Sequence, residues 1–296
     1  MLTPFTEKGS VDFDALGKLI RWYEAGGSAG LFAVCQSSEM FFMNQDERAA
    51  VAKFVKDHAG IPVIASGHIA DGADEQVEEL NRIAATGVDA LIFISNRFAA
   101  QDEGDDVLLE RMGYLMDRLP KDIPLGIYEC PYPYKRLLSP EVVRFMAKSG
   151  RFYFIKDTSC DAGNIRQKLE ITKGSNIKLY NANTATLLET LRLGAAGYSG
   201  VMANFHPRLY RWLLDNWEKA PREAETLQEL LTMCSLIECR SYPRNAKYML
   251  QLLGQGLTQF TRKPNMPALS AAECIEVQQL AKLTETVEGK LGIARG

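Results

Sequence analysis

Histidine is scarce in this chain of 296 residues: His58, His68 and His206 are the whole set, and they lie far apart. The six cysteines, at positions 35, 130, 160, 234, 239 and 274, form no CxxC pair and no Cys/His ligand spacing. A metal site needs convergent ligands, so no metal centre is expected. The thiols read instead as reduced groups of a core or a site in a cytoplasmic protein. No apolar run approaches the about 20 residues that span a bilayer, and no basic stretch precedes an apolar core as in a signal peptide. Charge of one sign is also missing. A formal net charge of -3 gives no electrostatic reason to expect nucleic acid or an anionic membrane as partner.

What the chain does have is a rhythm. Short apolar runs lie at 30–34, 62–65, 90–94, 124–128, 153–156, 178–180 and 197–202. Helical stretches are expected between them, over 45–57, 74–86, 107–118, 140–148, 162–171 and 184–193. Continuous runs bounded by Gly, Pro and polar residues mark parallel strands covered on both faces. A doubly wound sheet and a barrel both fit such alternation. Seven units plus a possible first strand at Met1–Phe5 select an α/β fold, a (β/α)8 TIM barrel. That first strand is very short, or truncated with the true start upstream of Met1. Beyond about residue 220 only helices are expected, over 227–239, 246–253 and 271–291. The expected division is therefore a barrel over 1–220 and a C-terminal helical region over 221–296 packed on it.

Lys156 stands out. It ends the run Phe152-Tyr153-Phe154-Ile155-Lys156, followed by Asp157-Thr158-Ser159. A lysine just past a strand can snorkel to water. A lysine at the last buried position instead has a lowered pKa, and its neutral amine can form a Schiff base with a carbonyl. In a barrel the site forms where the strands end, and the residues there make a coherent set. Tyr128 can move the protons of carbinolamine chemistry. Ser37 and Ser38, with loop amides, can hold a carboxylate; taken alone they read more readily as a helix N-cap. Glu39 either buttresses that loop or is solvated. Asn181, Asn183, Thr158, Thr184 and Ser199 offer hydroxyl and amide groups, while Tyr132, Tyr134 and Tyr198 offer aromatic surface.

These residues carry a family resemblance. Thr3-Pro4-Phe5 with Gly9 and Asp12, Cys35-Gln36-Ser37-Ser38-Glu39, Asn44-Glu47-Arg48, Ile127-Tyr128 with Pro131, Ile155-Lys156-Asp157-Thr158-Ser159, Gly194-Ala195-Ala196-Gly197 through Asn204, and Lys247 with Leu253-Gly254 follow in order. Together they resemble the dihydrodipicolinate synthase / N-acetylneuraminate lyase family of class I aldolases, essentially end to end. The resemblance implies an imine between Lys156 and a 2-oxo acid such as pyruvate, with Tyr128 as the second catalytic residue. It implies substrate contacts from Gln36, Ser37, Ser38, Thr158, Asn181, Asn183 and Ser199. It implies no metal and no organic cofactor, and a homo-oligomer, tetramer or dimer. The most typical reaction is reversible aldol cleavage of a 2-oxo-3-deoxy sugar acid. A sugar-acid dehydratase, a hydratase-aldolase on an aromatic pyruvate adduct and a non-catalytic 2-oxo acid binding regulator are the alternatives.

Departures from the family pattern narrow this. Pro133 stands where the synthases carry a substrate-binding arginine. Ser95-Asn96-Arg97-Phe98 fills the place of a tyrosine that completes their proton relay across a subunit interface. Both absences argue against a true dihydrodipicolinate synthase. Cys35-Gln36 and Ser38 also replace the glycines and hydroxyl residue of the carboxylate loop.

Overall fold

A computed structural model describes residues 1–293. Seven strands form one parallel sheet in sequence order: β1 (Leu31–Phe32), β2 (Val63–Ala65), β3 (Ala90–Ile94), β4 (Leu125–Tyr128), β5 (Phe152–Asp157), β6 (Lys178–Asn181) and β7 (Gly197–Tyr198). Parallel neighbours need a crossover, and each connection supplies a helix. These are α2 (Gln45–His58), α3 (Ala73–Ala84), α4 (Asp105–Arg118), α5 (Pro140–Ser149), α6 (Ala162–Thr172) and α7 (Leu187–Arg192), preceded by α1 (Phe13–Ala25). The architecture is the TIM barrel expected from the alternation.

β3 and β4 are buried at every position, as strands covered on both faces must be. At Gly126 a side chain would collide with Ile92 and Phe154 of the flanking strands, at 2.6 and 2.9 Å. That close approach explains the glycine inside β4.

The strand expected at Met1–Phe5 does not form as a ladder; only an isolated antiparallel bridge joins Phe5 to Val11. The segment still lies against the barrel. Residues 1–5 are buried, and the Met1 nitrogen donates to the Phe32 carbonyl at 2.8 Å. Pro4 has no N–H to give a ladder, and the turn that follows draws Phe5 to Val11 instead. Helix α1 was not anticipated from the sequence; Asp12 caps it by accepting from the Ala15 N–H at 2.9 Å.

After α8 (Pro207–Asn216) come α9 (Pro221–Cys234), a 3-10 turn at Ser235–Cys239, α10 (Arg244–Leu252) and α11 (Ala271–Lys290). Residues 294–296 of the expected C-terminal region lie outside the described residues. Among the described residues, no helix is long and apolar enough to cross a membrane.

Candidate active site

Neighbouring strands decide which side chains meet. The register of β4 with β5 places Tyr128 directly beside Lys156. Lys156 is only 8% exposed. Its Nζ lies 4.4 Å from the centre of the Tyr128 ring and 5.8 Å from that of Phe32. No carboxylate pairs with it among the described residues. Burial holds its ammonium below the ordinary lysine range, against the opposing fields of Cys35, Cys130 and Glu238. The Tyr128 hydroxyl donates to Gln36 Oε1 at 3.1 Å. Burial, reinforced by Cys130 and Cys35, pushes this phenol well above the usual tyrosine range. It therefore meets Lys156 as a neutral hydroxyl.

Side chains alternate along a strand, so the residues after this pair point outward. Those residues are Glu129 and Asp157, both fully buried, and Lys168 of α6 reaches both at 2.5 Å. Glu129 also accepts from the Leu138 and Thr158 N–H groups, at 2.8 and 2.9 Å. Burial keeps the Glu129 carboxyl above the usual range, with Lys168 opposing and the Asp157 carboxylate adding to the rise. The group ties the ends of β4 and β5 to one helix. It thereby fixes the spacing of Tyr128 and Lys156 on the inner face.

The loop after β1 is a 3-10 turn at Gln36–Ser38. Ser38 is fully buried, accepts from the Cys35 N–H at 2.7 Å and donates to the Cys35 carbonyl at 2.6 Å. Its hydroxyl holds the turn, and the Ser38 and Glu39 N–H groups bond back to Cys35 and Gln36. Ser38, expected as a substrate contact, does not line the cavity, and its hydroxyl serves as a local cap. Ser37 lines the cavity together with Tyr242, whose hydroxyl accepts from Asn204 Nδ2 at 3.0 Å. Glu39 is the buttress: it is 3% exposed, takes the left-handed φ of 62°, and accepts from Lys247 Nζ at 2.6 Å. Its second oxygen accepts from Thr261 and from the Arg262 N–H, each at 2.6 Å.

These groups face a cavity of about 370 Å³ at the carboxyl ends of the strands. Gln36, Ser37, Tyr128, Lys156, Thr158 and Asn183 line it, as expected. Asn181 and Ser199 do not. Asn181 is fully buried and donates to Thr186 and Thr190, at 2.9 Å each, while Ser199 continues the ladder through its N–H to the Asn181 carbonyl. Both strand-end positions were read as substrate contacts because sequence places them at the mouth; side-chain direction turns Asn181 away. Tyr134 is also turned away, its hydroxyl donating to the Asn96 carbonyl at 2.9 Å. Tyr198 stacks on Tyr210 with ring centres 4.1 Å apart. Of the three tyrosines only Tyr132 reaches the cavity, where Phe41, Phe42 and Tyr242 join it.

Glu238 and Tyr242 were missed. They come from the segment between α9 and α10, and both line the cavity. The one available signal was Tyr242-Pro243, a loop marker between two helical patterns; nothing in the pattern aims that loop at the barrel mouth. Cys160 and Cys239 line the same mouth and are exposed, whereas Cys35 and Cys130 are buried; all six thiols are free. Among the described residues no three His, Cys, Asp or Glu side chains are grouped to hold a metal ion.

A barrel with a buried lysine beside a tyrosine at its carboxyl-end mouth defines an enzyme of the class I aldolase type, a lyase. The chain belongs to the dihydrodipicolinate synthetase family, whose model matches residues 1–284. It is 27% identical over 290 residues to the 4-hydroxy-tetrahydrodipicolinate synthase of Acidiphilium cryptum, covering 96% of this chain and 95% of the other. It is 26% identical over 261 residues to the enzyme so named from Gluconacetobacter diazotrophicus, covering 86% and 85%. Among solved structures it resembles YagE, a prophage protein of this family from E. coli K12 in complex with pyruvate. The TM-score is 0.84 at 23% identity, over 97% of this chain and 96% of that one. A dihydrodipicolinate synthase from Acinetobacter baumannii, complexed with pyruvate, matches with a TM-score of 0.81 at 22% identity, over 99% and 97%.

Proposed function

We propose that the protein is a Schiff-base lyase that cleaves a pyruvate adduct and releases pyruvate. The observation that carries this is the pairing of Tyr128 with a buried, unpaired Lys156 on adjacent strands. The neutral Lys156 amine attacks the C2 carbonyl of the 2-oxo acid, and Tyr128 supplies the proton with which the carbinolamine hydroxyl leaves as water. When the C4 hydroxyl loses its proton, the C3–C4 bond breaks, an aldehyde departs, and the electron pair flows to the iminium nitrogen. Protonation of the enamine at C3 and addition of water then free pyruvate and restore the amine. The iminium is itself the electron sink, so this chemistry calls for no metal. Ser37 and the Gln36 side-chain amide, which line the cavity, receive the substrate carboxylate in this reading.

The aldehyde half separates the finer readings. Of the five hydroxyl and amide residues expected for a sugar-acid tail, Thr158 and Asn183 line the cavity. The Thr158 hydroxyl already donates to the Glu129 carbonyl at 2.7 Å. Phe41 and Tyr132 pack edge to face with centres 5.0 Å apart at the same cavity. That aromatic pair favours a tail with a flat apolar face over a fully hydroxylated one, and so a hydratase-aldolase or aldolase on an aromatic adduct.

Borohydride reduction in the presence of pyruvate tests the imine. A reduced adduct on Lys156 is expected, with a rate that rises with pH and levels off below the ordinary lysine pKa, because the attacking form is the free amine. Absence of any adduct would sink the reading. Pyruvate release from supplied adducts then separates aldol cleavage from dehydration.

A further inference from the structure

Glu39 and Glu238 are the two carboxylates that line the cavity. Glu39 is fully engaged by Lys247, Thr261 and the loop amides. Glu238 has no hydrogen bond or ion pair among the described residues, although it is half-buried. Its place is not accidental. The 3-10 turn that carries it is held from behind by Asn245, whose Nδ2 donates to the Ile237 carbonyl at 2.7 Å and also to that of Arg240. Ser241, three residues on, is fixed to Glu273 at 2.6 Å.

We propose that Glu238 is a specificity-determining residue: its carboxylate accepts a hydrogen bond from a hydroxyl on the aldehyde half of the substrate. With the aromatic walls, it selects a hydroxylated aryl aldehyde, or the corresponding pyruvate adduct. A half-buried carboxylate with no donor from the protein depends on water or a ligand for its hydrogen bonds, and burial by a ligand that offers none is costly. A ligand hydroxyl avoids that cost, whereas an apolar ligand that excludes water incurs it. The cations nearby do not remove the need. Lys135 is committed to the Thr158 carbonyl at 2.8 Å, Lys263 is exposed at the rim, and Lys156, cationic as ammonium or iminium, makes no ion pair with Glu238 among the described residues. Burial raises the Glu238 carboxyl above the usual range, with Lys156 opposing, as expected for an acid awaiting a partner. The flat body of such an aldehyde would lie between Phe41, Tyr132 and Tyr242, which place the hydroxyl rather than supply its acceptor.

This rests on the Lys156 lyase reading, and the test keeps the two apart. Trapping of pyruvate alone in the wild-type chain reports on Lys156 and needs no aldehyde. Specificity is read as kcat/KM for condensation of pyruvate with benzaldehyde and with its three ring-hydroxylated isomers. The wild type should favour at least one isomer over benzaldehyde by about 10- to 100-fold, the worth of one hydrogen bond to a charged group. Glu238→Ala should reduce that preference to near unity, and Glu238→Gln, which retains a carbonyl acceptor, should fall between; melting temperatures confirm that both variants fold. Equal rates for all four aldehydes, no condensation with any of them, or a preference that survives in Glu238→Ala would each overturn the proposal.

Discussion

Behind the β4–β5 wall of the cavity, every ionisable group has a partner: Glu129 and Asp157 share Lys168, and Glu129 also takes two backbone N–H groups. Across the cavity, the wall formed by residues 235–243 is held by Asn245, by Glu273 and, at the Tyr242 hydroxyl, by Asn204, and it presents Glu238 without a hydrogen bond or ion pair among the described residues. The first wall holds two reacting groups whose relative position sets the chemistry, and tight hydrogen bonding fixes it. The second wall meets whatever the imine carries, and it keeps its polar atom free for that ligand. Within one pocket, geometry is invested in the bond-making side and vacancy in the recognition side.

The comparison can be broken most severely at Tyr128. Tyr128→Phe removes the proton donor and the bond to Gln36 while leaving the ring beside Lys156. Turnover is expected to fall about 10²- to 10⁴-fold, with little change in melting temperature. A loss below tenfold would mean that another group moves the proton. The next effect falls on stability. Lys168→Met leaves Glu129 and Asp157 buried together without a cation, and breaking a buried pair in this way costs about 3–5 kcal/mol, measurable by urea unfolding. An unfolding free energy within about 1 kcal/mol of wild type would show that the group does not hold the strand ends. The smallest effect separates two adjacent serines. Ser38→Ala should cost about 1 kcal/mol of stability with KM for the 2-oxo acid unchanged, since its hydroxyl caps a turn. Ser37→Ala should raise that KM with stability nearly unchanged. The reverse pattern would return Ser38 to the substrate.

The tight wall was also the legible one. A lysine ending a buried aromatic run and a tyrosine ending the preceding strand can be read directly, because strand order in a βα alternation fixes who is adjacent. Helix α1 escaped notice because no strong strand preceded it to set the rhythm. Side-chain direction was not legible either: Asn181 and Asn183 are two residues apart and equally polar, yet one bonds into α7 and the other lines the cavity. Ser38 misled for a related reason, since a hydroxyl beside a loop can serve a cap or a ligand on paper. The open wall was invisible for a topological reason. Glu238 lies 82 residues beyond Lys156 in a helical region, and only the packing of α9 and α10 brings it over the mouth.

The central claim is that Lys156 carries the substrate as an imine. Mass spectrometry of the protein after borohydride reduction with pyruvate tests it most directly. The account predicts a single reduced pyruvyl adduct on the peptide containing Lys156, lost in Lys156→Ala. An adduct that persists in Lys156→Ala, or no adduct in the wild type, would contradict it.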